Sequence, residues 1–139
     1  MNELINLRAA AYIFERANGY ELQDYQRDEI KKAGYDNKAA SILALEIINL
    51  LKCHNDMDSD SRITAYWALG KRQDKNLLNF FQESLNEETA KDIRVAYQIM
   101  IALEDIGENI FGKDRQENGY SFDEDELNRR DAIDYLSKL

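Results

Sequence analysis

Asp58–Leu85 reads DSDSRITAYWALGKRQDKNLLNFFQESL. Apolar residues recur at helical spacing on both sides of a polar turn. Ile63, Tyr66, Trp67 and Leu69 mark one helix, Gly70 to Asp74 the turn, and Leu77, Leu78, Phe80, Phe81 and Leu85 a second helix. Ser59 or Asp60 is the expected N-cap, because a short oxygen-bearing side chain there satisfies an orphan backbone N–H. The small residues Ala65, Ala68 and Gly70 let neighbouring helices approach closely, and Trp67 and Phe81 fill the space that remains. A helix pair this short cannot bury its own apolar stripe, so it must stack against neighbours. The stretch reads as scaffold and not as chemistry, and it predicts an all-α chain.

The same period extends in both directions. Leu4, Leu7, Ala11 and Phe14 predict a first helix over 2–17, stopped by Asn18-Gly19. Leu22, Tyr25, Ile30 and Ala33 predict a second, ending at Gly34. The run NKAASILALEIINLLK leaves little polar face, which predicts a central third helix covered on several sides. Downstream, a sixth helix is expected over about 88–106. A connection of about sixteen residues follows, GENIFGKDRQENGYSF, and connections that long inside compact domains are often functional. Ser121 and Glu124 have capping-box spacing, and Leu127, Ile133, Leu136 and Leu139 line a seventh helix. The absence of proline fits a helical chain. With no linker and no low-complexity segment, residues 1–139 read as a single helical domain of about seven helices.

Ala44-Leu45, Ala68-Leu69 and Ala102-Leu103 occupy equivalent points of three helices, at spacings of 24 and 34 residues. Asp60-x-Arg62-x-x-Ala65-x-x-Ala68-Leu69-Gly70, followed by Asp74-x-x-Leu77-Leu78-x-x-Phe81-x-x-x-Leu85, resembles a HEAT repeat of small bacterial HEAT-like proteins. Asp92-x-Arg94-x-Ala96 with Ala102-Leu103-x-x-Ile106-Gly107 resembles the start of another. The proline frequent in HEAT helices is missing, and Arg94 stands two residues further from its Ala-Leu pair than Arg62 does. The resemblance covers about fifty residues, and it implies antiparallel helix pairs in a short right-handed α-solenoid.

The net charge of −9 repels a phosphate backbone, so the expected partner is a basic protein and not nucleic acid. The charge is uneven. Glu104–Leu139 holds eleven acidic and five basic residues, a net of −6, against −3 for the first 103 residues. Lys71, Arg72 and Lys75 make only a short basic turn, too small for a DNA-binding face. One cysteine, Cys53, excludes an intrachain disulfide and fits a reducing compartment. Glu3, Arg8 and Glu15 interrupt what an export signal would need, and no apolar run approaches membrane-spanning length. A cytoplasmic protein with no membrane partner is therefore expected.

Candidate chemistry fails on spacing. Cys53 and His54 are sequence neighbours and point apart on a helix, so they do not make a nucleophile and base pair. With Asp56 and Asp58 they lack the second Cys or His pair of a zinc site. Asp56, Asp58 and Asp60 begin like a calcium loop, but Ser61 and Trp67 stand where Gly and Glu are needed. Asp114, Gln116, Asn118, Gly119 and Asp125 come closer, yet Gln is a poor third ligand and Asp is short for the last. No phosphate-binding glycine loop or serine nucleophile turn is present. The expectation is no metal, no cofactor and no catalytic residue.

What remains is surface. The long connection joins carboxylates to two aromatic residues without helical partners, a composition suited to protein contact. Asp114, Glu117, Tyr120, Phe122, Asp123, Glu124 and Asp125 are the expected partner-binding residues. A small acidic HEAT-like chain is similar to toxin-neutralising immunity proteins, which implies covering the basic active site of a nuclease-like toxin. A HEAT-repeat adaptor or assembly factor and a nucleic-acid-acting HEAT-like enzyme are the alternatives.

Overall fold

The structure is a computed structural model and describes residues 3–53, 56–115 and 124–139. It is all-α. Among the described residues there are seven α-helices: α1 (Glu3–Ala17), α2 (Asp24–Ala33), α3 (Ala40–Cys53), α4 (Ser59–Lys71), α5 (Leu78–Lys91), α6 (Ile93–Asp105) and α7 (Glu124–Ser137). A 3-10 turn, Lys75–Leu77, precedes α5. The chain forms two compact units, Met1–Arg72 and Gln73–Leu139. The boundary falls inside the polar turn of the 58–85 stretch, so α4 belongs to one unit and α5 to the other.

In the first unit α1 is the hub and packs against α2, α3 and α4. The amphipathic reading of α1 is too narrow. Leu7 and every residue from Ala9 to Phe14 are buried, while Leu4 is exposed. Three consecutive alanines, Ala9–Ala11, thin the helix enough for partners to close on several sides. The third helix is the converse case. It is the most apolar of the helices, yet it buries only Leu43, Ala44 and Ile47. Ile42 and Leu45 are 50% and 57% exposed. The expectation of a central third helix is thus corrected: α1, thinned by Ala9–Ala11, takes the middle.

The ends follow local rules. Gly34, at φ 75°, closes α2 with its N–H donating to the Ile30 and Lys31 carbonyls. Gly19, at φ 94°, follows the end of α1. The cap of α4 is neither Ser59 nor Asp60. Asp58 takes the extended N-cap conformation, and its carboxylate accepts from Ser61 N–H at 2.7 Å. At the other end of α4, Asn18 donates from Nδ2 to the Lys71 carbonyl at 2.8 Å, tying the end of α1 to the end of α4. Trp67 is half-buried, with the Lys71 ammonium 5.4 Å from its ring centre.

In the second unit α6 is the hub and packs against α5 and α7. Val95, Ala96, Ile99, Met100, Ala102 and Leu103 are buried from α6, and Phe81 and Leu85 from α5. The sixth helix starts at Ile93, not near 88. Residues 88–91 finish α5, and Asp92 alone makes the joint. Its backbone is extended (φ −154°, ψ 105°), its N–H donates to the Glu88 carbonyl at 2.7 Å, and its carboxylate accepts from Arg94 N–H at 3.1 Å.

Candidate functional site: the acidic connection and its anchor on the last helix

Of the residues expected to meet a partner, Glu117, Tyr120, Phe122 and Asp123 lie outside the described residues. Glu124 and Asp125 are exposed in the first turn of α7. Carboxylates are stabilised there by the positive end of the helix dipole, which gives both a structural reason to occupy the site. Asp114 is held by Arg130, whose Nη1 and Nη2 donate to its two carboxylate oxygens at 2.7 and 2.9 Å. That bidentate pair holds the Asp114 carboxyl below its usual range.

The sequence reading missed what fixes the connection in place. Gly107, at φ 99°, ends α6 and starts the connection. Ile106 and Ile110 then turn into the core. Phe111 stacks edge-on to Tyr97 of α6 at 5.9 Å, and the Arg115 guanidinium lies 4.7 Å from the Phe111 ring centre. Beyond the ring, Arg115 reaches α7, donating from Nε to Asp131 Oδ2 at 2.6 Å and from Nη2 to Asn128 Oδ1 at 2.9 Å.

Asp131 is the centre of this anchor, with a side chain only 3% exposed. Its Oδ2 also accepts from Gly112 N–H at 2.9 Å, and its Oδ1 accepts from Arg130 Nε and Nη2 at 3.0 and 2.8 Å. Burial alone pushes this carboxyl up, but the Gly112 N–H and the two guanidiniums outweigh burial and leave it lowered. Engaged by four donors, it is an ion-pair anchor at neutral pH and not a poised proton acceptor. Gly112 sits close under the arginine and aspartate side chains. A Cβ there would sit 2.7 Å from Arg130 Nη2 and from Asp114 Oδ1, and 3.0 Å from Asp131 Oδ1.

One helical turn further on, Tyr135 donates from its hydroxyl to Glu108 Oε1 at 2.6 Å and accepts from Gln82 Nε2 at 2.8 Å. Burial, together with the adjacent Glu108 carboxylate, pushes its phenol up to about 12. This network decides which face of α7 turns inward. Leu127, Asn128, Asp131, Ala132 and Tyr135 are buried, whereas Ile133 and Leu139, expected to line the helix, are exposed. A signal was present in the sequence. Asp131 falls four residues after Leu127 and four before Tyr135, on the stripe that a simple apolar face would reserve for aliphatic residues.

The exposed charges of this segment are mostly acidic: Glu104, Asp105, Glu124, Asp125, Glu126 and Asp134, against Lys113, Arg129 and Lys138. Asp58, from the acidic loop before α4, serves as the helix cap already described, and His54 lies outside the described residues. Among the described residues no group of three His, Cys, Asp or Glu side chains gathers in a way that could hold a metal ion. No helix among the described residues is long and apolar enough to cross a membrane. Comparison with protein-family models, with curated proteins and with solved structures finds no match.

Proposed function

We propose that this chain is a non-enzymatic protein-binding module that covers a basic protein partner, and that it acts in the cytoplasm as a HEAT-like immunity protein against a basic, nuclease-like toxin. One observation carries the reading. The last quarter of the chain has eleven acidic and five basic residues, and two of the five, Arg115 and Arg130, are paired with Asp131 and Asp114. Those pairings stabilise the anchor, and exposed carboxylates outnumber the exposed Lys113, Arg129 and Lys138 in the same segment. Such an excess steers a basic partner toward the segment and repels phosphate backbones.

The test is co-purification with, and calorimetric binding to, a basic protein encoded beside this one. Stable binding that weakens when Glu124, Asp125 and Glu126 are changed together to lysine is the expected result. Absence of binding at low ionic strength overturns the proposal. In the toxin case a second readout is required: the wild-type chain suppresses nuclease activity at equimolar ratio.

A further inference from the structure

The outer face of the second unit carries a groove distinct from the acidic connection. Its two walls are α5 and α7, which pack on each other. A 610 Å³ section lies between Asn86, Thr89 and Ala90 of α5 and Arg129, Ile133 and Leu136 of α7. A 360 Å³ section continues it past Asn79, Gln82 and Glu83, sharing Asn86 and Leu136 with the first. The later part of α5 therefore faces the earlier part of α7. From Asn79 to Ala90 the groove follows α5 for about 16 Å at 1.5 Å per residue.

The two walls differ in chemistry. On α5, Asn79, Gln82 and Asn86 recur at i, i+3 and i+7, a row of carboxamides along one face. On α7, Ile133 and Leu136 form an apolar row, and Ile133 is 52% exposed. Ile133 is turned away from the core because Asp131, Ala132 and Tyr135 take the inward positions. Each section has one charged residue, and the signs are opposite: Arg129 in the first, Glu83 in the second.

We infer that this groove is the docking site for a short amphipathic helix of a partner protein, seated with an acidic residue at the Arg129 end and a basic residue at the Glu83 end. The length suits about three helical turns. A convex helix fills a two-walled groove, and its apolar stripe, spaced at three and four residues, covers Ile133 and Leu136. Its polar flank meets the carboxamides. A second copy of this chain fits poorly, since it would set concave face on concave face between molecules of charge −9. Nucleic acid finds one arginine in a negative field. The inference rests on the reading of the chain as a protein-binding module and adds a second contact surface to it.

The experiment is selection of a displayed random dodecapeptide library on the full-length chain. The expected winners have apolar residues at i, i+3 or i+4 and i+7, with an acidic residue at one end and a basic residue at the other. Ile133→Glu, a change at an exposed position, is expected to weaken them roughly tenfold or more, with the helical circular dichroism kept. Arg129→Glu, used in a fresh selection, is expected to exchange the acidic preference at that end for a basic one, which loss of folding cannot mimic. Failure of any sequence to enrich overturns the groove as a docking site. So does enrichment of peptides whose affinity survives Ile133→Glu, or an unchanged acidic preference against Arg129→Glu. Self-association of the wild-type chain that Ile133→Glu dissolves also overturns it, in favour of a second copy. Each of these leaves the test with a basic partner protein standing, so the two proposals fail separately.

Discussion

At the scale of single residues, the connection after α6 is held by a few atoms whose removal has calculable consequences. Gly112→Ala places a methyl group 2.7 Å from Arg130 Nη2 and Asp114 Oδ1, forcing the bidentate pair to open. The expected cost is about 1–2 kcal/mol, the ordinary range for overpacking, measured by urea denaturation. In an Arg130→Ala background the obstruction is partly gone and Asp114 is released. There the same change is expected to cost under about 1 kcal/mol, and the difference measures the coupling. Asp131 adds a pH dependence. Its carboxyl is lower in the folded chain than in the unfolded chain, where Asp titrates near about 3.9. Its stabilisation is complete above that value and is lost as pH falls below it toward the folded value. Asp131→Asn is expected to lower stability at pH 7 by about 2 kcal/mol and to flatten the decline in melting temperature as pH falls below about 4. That is less than the roughly 3–5 kcal/mol for breaking a fully buried pair. The discount reflects Arg130, whose side chain is 40% exposed.

At the scale of elements, helix ends obey local chemistry and helix faces do not. Asp58→Ala is expected to lower the melting temperature, read by thermal denaturation, because it removes the acceptor for Ser61 N–H at the start of α4. Gly19 and Gly34 stop α1 and α2 where the sequence says they should, since only the local backbone is involved. The cap of α4 was legible as a short polar cluster but not to the residue, because Asp58, Ser59 and Asp60 are all competent. The break at Asp92 hides inside a continuous helical period, since a single extended residue interrupts the ladder without interrupting the apolar pattern. Which helix becomes the hub was not legible from hydrophobicity. The most apolar helix, α3, leaves Ile42 and Leu45 in solvent, while α1, with its run of three alanines, is surrounded. Close approach is limited by side-chain size, which an apolar count ignores. The inward face of α7 was missed for a related reason. The favourable pairing of Asp131 depends on Arg115, sixteen residues away, and on a backbone N–H nineteen residues away. Of the residues expected at the site, Asp114, Glu124 and Asp125 are placed where a helix dipole or an arginine accounts for them. Arg115, Asn128, Arg130 and Tyr135, which organise the connection, drew no notice as isolated letters.

At the scale of the whole molecule, charge decides how the proposed basic partner is met. Exposed carboxylates of the last quarter act over distances set by the Debye length, about 8 Å at physiological salt. Binding to a basic protein is therefore expected to lose association rate with added salt far more than it gains dissociation rate. In the proposed groove on α5 and α7, the apolar contacts with Ile133 and Leu136 are short-ranged and insensitive to salt, while the pairing with Arg129 and Glu83 is screened by it.

The position of α1 in the chain has a consequence for how the protein is made. The helix that must be enclosed is synthesised before α2, α3 and α4, and the carbonyl that accepts from Asn18 belongs to Lys71, 53 residues later. While translation proceeds, Ala9 to Phe14 leave the ribosome before the three helices that cover them. As they emerge, α2 and α3 can close over part of this six-residue apolar run, but its enclosure is complete only once Lys71 has cleared the exit tunnel.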